Sequence, residues 1–312
     1  MIVFAKADAV RNLPLQAALP FCEDNEMVRR DRLVTVAGRG AMTRLYRGMD
    51  RAALDRAYDN SGHVADFPGL IRDFQTRSQA MRAGHGGRYD LRYGKGARER
   101  FDWLPCGRAE APVFVFVHGG YWQSCDKEDF TFIAAGPLAH GWNVVLAEYA
   151  LAPAASMTGI VKQVGRLLDH LAGQSELGTG PMCLAGHSAG GHLAALHRGH
   201  PAVGSVLAMS GLYDLEPISL CGWNDPLQLT EAEIDRFSPQ RRIGPGAPML
   251  VAAGADERPE LLRQSRDYAA ACRQAGEPAE LLLVAGRNHF DVLDDLADPE
   301  GAQLTALAAL GG

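Results

Sequence analysis

The sequence predicts an α/β fold, a mostly parallel central sheet with helices on both faces. Three observations predict it. From Val113 onward short apolar runs alternate with longer helix-like stretches, the order that builds strand–helix–strand units. The runs, centred on Val115, Val145, Leu184, Val206, Leu250 and Leu282, are near-continuously apolar, as strands buried on both faces must be. Several end in glycine-bearing turns, at Gly119-Gly120, Gly186 and Gly254, and loops at the carboxyl ends of parallel strands are where such folds carry function.

Taken in order, the first 44 residues fit least. Charge clusters (Glu23-Asp24-Asn25-Glu26, Arg29-Arg30-Asp31-Arg32) alternate there with apolar pieces of no clear period, so 1–44 read as a loosely ordered extension and 45–312 as the folded domain. Residues 51–58 read as a helix, followed by a turn at Asn60-Ser61-Gly62. An amphipathic helix follows over 70–81, ended by Gly84. Residues 89–93 and 100–104 alternate as two early strands around Gly94-Lys95-Gly96. Beyond them the six apolar strands are interleaved with helices at 160–171, 192–198, 260–275 and 303–310. After the sixth strand, Ser210 to Pro239 is too long for a bare loop and predicts a short insertion that caps the site.

Composition excludes several classes. At 47% hydrophobic and 22% charged residues the chain reads as an ordinary globular protein. A formal net charge of −6 with no basic run argues against nucleic-acid binding. No apolar stretch reaches membrane-spanning length, and Lys6 and Asp8 interrupt the apolar start, against a secretory signal. Cys22, Cys106, Cys125, Cys183, Cys221 and Cys272 form no C-x-x-C pair, which suits a reduced, cytoplasmic protein without a zinc site. The expected partner is a small-molecule substrate; a homodimer is left open, and neither metal nor organic cofactor is implied.

Chemistry is concentrated in Gly186-His187-Ser188-Ala189-Gly190, between the apolar run Met182-Cys183-Leu184-Ala185 and a helix-like stretch. A serine with glycine at both second neighbours, between strand and helix, is the pattern of a nucleophile elbow, where side chains at those neighbours would clash. Upstream, Val113-Phe114-Val115-Phe116-Val117 ends in His118-Gly119-Gly120-Tyr121-Trp122, the place where an α/β-hydrolase builds half of its oxyanion hole. The expected donors are the backbone N–H groups of Gly120, Tyr121 and Ala189, aimed at the oxygen on which charge develops. The triad should follow in the order Ser, acid, His. His289, in Gly286-Arg287-Asn288-His289 after the last strand, is the candidate general base. Glu257, three residues after the strand-ending Gly254, is the candidate acid, with its neighbour Asp256 as the alternative. Of the other histidines, His118 and His187 are expected to shape their loops and His192 to pack in its helix.

These motifs, with Ser210-Gly211-Leu212-Tyr213-Asp214-Leu215, Arg258-Pro259-Glu260 and Asn288-His289-Phe290-Asp291, resemble the arylformamidase (kynurenine formamidase) group of α/β-hydrolases. The likeness extends from about Leu45 to the C-terminus, and Tyr46-Arg47-Gly48-Met49-Asp50 is similar to how bacterial members begin. It implies hydrolysis of N-formylkynurenine to kynurenine and formate. Members typically place an aspartate where this chain has Glu257. Such a substrate needs an aromatic wall, for which Tyr121, Trp122, Tyr213 and Trp223 are candidates, with Asn224 as a hydrogen-bond donor. A carboxylesterase acting on small acyl or aryl esters would use the same triad, and a non-catalytic binding protein could share the fold.

Overall fold

The protein is described by a computed structural model covering residues 46–108 and 110–310. The extension expected over 1–44 lies outside the described residues.

Helix α1 (Arg51–Ala57) starts where the Asp50 carboxylate accepts the Ala53 N–H at 2.8 Å. Asp66 caps α2 (Phe67–Gly84) in the same way through the Gly69 N–H, 2.9 Å away. The strands β1 (Arg88–Arg92) and β2 (Arg100–Leu104) form the antiparallel pair. Next come β3 (Val113–Val117), a 3₁₀ helix (Lys127–Ala134) running into α3 (Ala135–Ala139), and β4 (Asn143–Ala147). The pairs α4 (Met157–Ala172) with β5 (Met182–His187) and α5 (Ala189–Leu196) with β6 (Val203–Met209) follow. The insertion after β6 folds as three short helices, α6 (Glu216–Ser219), α7 (Asn224–Leu227) and α8 (Glu231–Phe237). The chain then completes β7 (Met249–Gly254), α9 (Pro259–Gln274), β8 (Ala279–Val284), α10 (Val292–Ala297) and α11 (Ala302–Leu310).

The eight strands lie in the order β1-β2-β4-β3-β5-β6-β7-β8. Only the β1–β2 and β2–β4 pairs are antiparallel. The alternation of side chains along each strand divides the core between the two faces of the sheet. On one face Val113, Val115, Val145, Leu184 and Val206 pack with Ile160, Val164 and Leu167 of α4 and Leu261 and Tyr268 of α9. On the other, Phe114, Phe116, Leu146 and Leu250 pack with Phe74 of α2, Phe132 and Ile133 of the 3₁₀ helix, and Leu293, Leu304 and Leu307. Both faces are covered, so β3, β4, β5 and β7 are buried at every residue.

Several helices begin a turn earlier than apolar periodicity indicates. Ser156 accepts the Gly159 N–H at 3.2 Å, so α4 starts at Met157 and not at 160. The 3₁₀ helix, α3 and α10 were not legible in the pattern, because α3 and α10 are too short to show a helical period and a 3₁₀ helix does not follow the 3.6-residue one. The insertion is anchored to α1 by an Arg51–Asp225 ion pair (2.9 Å) and by the Gly222 N–H on Asp55 (2.6 Å). Helix α1 and the insertion therefore stand together over the carboxyl ends of the strands.

Candidate active site

Ser188 directly follows β5 and caps α5 with φ 56° and ψ −117°, a conformation that costs a non-glycine residue about 1–3 kcal/mol. The surrounding backbone enforces it. A Cβ on Gly186 would lie 2.1 Å from the Gly190 carbonyl oxygen, and one on Gly190 would lie 1.9 Å from that of Val117. Only hydrogen fits at either neighbour, so the chain turns sharply and presents Ser188 to a pocket that it lines together with His289.

His289 lies beyond the end of β8, with Nδ1 3.0 Å from Oε2 of Glu257. A carboxylate only accepts, so Nδ1 carries the proton and Nε2 is left as the basic nitrogen. The other carboxylate oxygen, Oε1, accepts the Gly254 N–H at 2.8 Å and a short bond from the Ser210 hydroxyl. Glu257 is buried, whereas its neighbour Asp256 is exposed and meets the histidine loop only through its backbone N–H, 2.9 Å from the Arg287 carbonyl. Of the two acidic residues the sequence left open, Glu257 is the one that faces His289. Ser210, itself at φ 51°, is a partner that sequence reasoning missed, although its Ser-Gly dipeptide was visible after β6.

The loop after β3 is held so that its N–H groups face away from their own carbonyls' partners. The Gly119 carbonyl lies 2.8 Å from His118 Nδ1 and 3.3 Å from the Tyr149 hydroxyl. The N–H of Gly120 belongs to the same peptide and points the opposite way. The Gly120 carbonyl accepts the N–H groups of Gln123 (2.9 Å) and Ser124 (3.0 Å), which turns the Tyr121 N–H in the same manner. Gly120 is at φ 98°, Tyr121 at 50° and Trp122 at 59°, and a Cβ on Gly120 would meet the Ser124 carbonyl at 2.4 Å. Among the described residues the N–H groups of Gly120, Tyr121 and Ala189 donate to no protein atom, so all three are available to a developing oxyanion. Beneath the loop, buried His118 lies 2.9 Å from Glu148. Burial would raise the Glu148 carboxyl, but His118 and the charge of Arg98 bring it below the usual carboxylate range.

The comparisons with known proteins decide the family. Kynurenine formamidase of Danio rerio is 32% identical over 234 residues, covering 70% of this chain and 79% of that protein. That of Salmo salar is 34% identical, covering 66% and 76%. The chain belongs to the kynurenine formamidase family. Like other members it is a hydrolase. The BD-FAE family matches residues 103–202. A Silicibacter protein provisionally assigned as a thioesterase superposes with a TM-score of 0.76 at 30% identity, over 82% of this chain and 98% of its own. An esterase from Pyrobaculum calidifontis (TM-score 0.63, 21% identity, 78% and 92% covered) shares the α/β-hydrolase fold.

Of the aromatic candidates, two line the pocket of this kynurenine formamidase family member. Trp223 of the insertion stacks on Tyr121 with ring centres 4.2 Å apart and planes 7° from parallel. The other two aromatic candidates and Asn224 lie outside the lining. Trp122 is wholly buried, edge-on to His192 at 5.0 Å. Tyr213 is turned into the core, stacked on Tyr268 at 4.4 Å with its hydroxyl donating to the Ala208 carbonyl. Asn224 spends its amide within the insertion, donating to the Ser219 carbonyl (3.1 Å) and accepting the Leu229 N–H (2.9 Å). A further, apolar wall comes from Phe67, Ile71 and Phe74 of α2 with Phe130 and Phe290. Sequence reasoning missed this wall, since an i, i+4, i+7 apolar stripe reads as ordinary core. Among the described residues no Lys or Arg lines the pocket; Asp129 does, held by Gln75 at 3.1 Å and with its carboxyl raised by burial.

Proposed function

We propose that the protein hydrolyses an aryl formamide, N-formylkynurenine, to kynurenine and formate. The observation that carries this reading is the Glu257–His289 contact, with His289 and Ser188 lining one aromatic-walled pocket. Ser188 Oγ attacks the formyl carbon and its proton passes to His289 Nε2. The carbonyl oxygen becomes an oxyanion facing the N–H groups of Gly120, Tyr121 and Ala189. His289 returns the proton to the aryl nitrogen, the C–N bond breaks, and kynurenine leaves a formyl ester on Ser188. Water then attacks that ester, giving its proton to His289. His289 returns that proton to Ser188, and formic acid departs, releasing its remaining acidic proton to water as formate. Glu257 keeps the proton on Nδ1 and stabilises the imidazolium. The Tyr121–Trp223 stack supports an aromatic leaving group, and Asp129 suits the substrate's ammonium group.

The apolar wall of α2 favours a second reading, a carboxylesterase running the same steps on a small acyl or aryl ester. The five described cysteines are free, which supports the cytoplasmic assignment. The test is steady-state hydrolysis of N-formylkynurenine beside p-nitrophenyl acetate. A kcat/KM advantage of at least about tenfold for the formamide, close to 1.4 kcal/mol of transition-state discrimination, supports the formamidase. Ester turnover with a feeble formamide rate replaces it with the esterase.

A further inference from the structure

We propose that His187 is a positioning residue for the base, fixing the main chain of His289 against the nucleophile turn. The proposal rests on the roles given above to Ser188 and His289.

His187 is the last residue of β5 and directly precedes Ser188. Its Nε2 lies 2.7 Å from the main-chain carbonyl oxygen of His289, and the two rings sit side by side with centres 4.8 Å apart. A carbonyl oxygen only accepts, so Nε2 of His187 carries the proton and Nδ1 is unprotonated. That Nδ1 is buried and has no hydrogen-bond partner among the described residues, so one nitrogen of the ring has a visible task and the other has none. Burial, and the proximity of His289, hold the His187 ring well below the ordinary histidine pKa, so it stays neutral and keeps this tautomer.

The bond matters because of what else holds His289. Glu257 grips its side chain at Nδ1. Its backbone N–H and carbonyl make no other hydrogen bond among the described residues, so His187 is its main-chain tether. The tether connects two catalytic groups from different parts of the sheet, the turn after β5 and the loop after β8. Without it the imidazole keeps its acid partner but loses a fixed height above Ser188, and a displacement of about 1 Å in a catalytic group can reduce turnover on the order of a hundredfold.

A ring that merely fills space predicts a different ordering of variants. His187→Gln retains an N–H at the reach of Nε2, while His187→Leu fills the volume without a donor. For each, kcat and KM are measured with p-nitrophenyl acetate, with active sites counted by stoichiometric phosphorylation of Ser188 by diethyl p-nitrophenyl phosphate. His187→Leu is expected to lose about 10- to 100-fold in kcat with KM within about threefold, and His187→Gln to stay within about threefold of wild type. Should His187→Leu not fold, His187→Asn, whose amide is too short to reach the carbonyl, replaces it with the same expectation. Wild-type kcat in the donor-less variant, or a greater loss in Gln than in Leu, overturns the proposal. Ser188→Ala, run alongside, separates the two levels. Turnover surviving in it removes the catalytic reading and this one together. An inactive Ser188→Ala beside a fully active His187→Leu removes only the tether.

Discussion

Glu257 and Asp256 are neighbours in the chain and occupy opposite environments, one buried with three hydrogen-bond partners, the other in solvent. Glu257→Gln is therefore expected to lower kcat by about 10³–10⁴, since a neutral amide stabilises no imidazolium and can hold the wrong tautomer, while Asp256→Asn stays within about threefold. Steady-state kinetics check the ordering, and the reverse would move the acid to Asp256. Ser188→Ala and His289→Ala are each expected to reduce turnover to background at unchanged melting temperature. Full activity in either would remove the mechanism. The acid position was legible because three residues past a strand-ending glycine is a local measure. The partner of its second oxygen, Ser210, comes from another strand and was not.

At the scale of elements, the end of β5 and the helix after it carry buried histidines whose behaviour gives a pH dependence. Burial takes His192 down to about 3 and His187 well below the usual value, although His192 still bonds the Phe237 carbonyl at 2.7 Å. In the unfolded chain both titrate near 6.5. Between that value and the folded pKa the unfolded state binds more protons, so stability is full above about pH 6.5 and falls as the pH drops below it. At pH 5 the loss is about 2 kcal/mol for His192, and His187 adds to it in the same direction. Thermal unfolding at pH 7.5 and 5 should show this drop, and His192→Gln, which keeps a donor but cannot become charged, should reduce it by about 2 kcal/mol. An unchanged drop in the variant would assign the acid sensitivity elsewhere. The same unit explains why the elbow was readable. Its two glycines are required by contacts within the turn itself and by the adjacent strand β3.

At the scale of the molecule, the sheet is the rigid body that brings the ends of β3, β5 and β8 to one pocket and the end of β7, through Glu257, to His289 behind it. Phe116, one residue from the end of β3 and 1% exposed, packs into the face covered by the 3₁₀ helix and α11. Phe116→Ala is expected to cost about 3–5 kcal/mol, read as a lower midpoint in urea at similar m. A loss under about 1 kcal/mol would mean that this face repacks.

The sequence by itself determined the strand order along the chain, the turn that strains Ser188, and the succession of serine, acid and histidine at strand ends. All of these depend on residues within a few positions of one another, where sterics and hydrogen-bond reach are fixed by the backbone. Only the tertiary structure decided which side chains reach the pocket. Trp122 and Tyr213 turned into the core, Trp223 turned onto Tyr121, and α2 supplied a wall from a segment more than a hundred residues before Ser188. Side-chain direction there is set by packing between distant segments, and no periodicity along the chain encodes it.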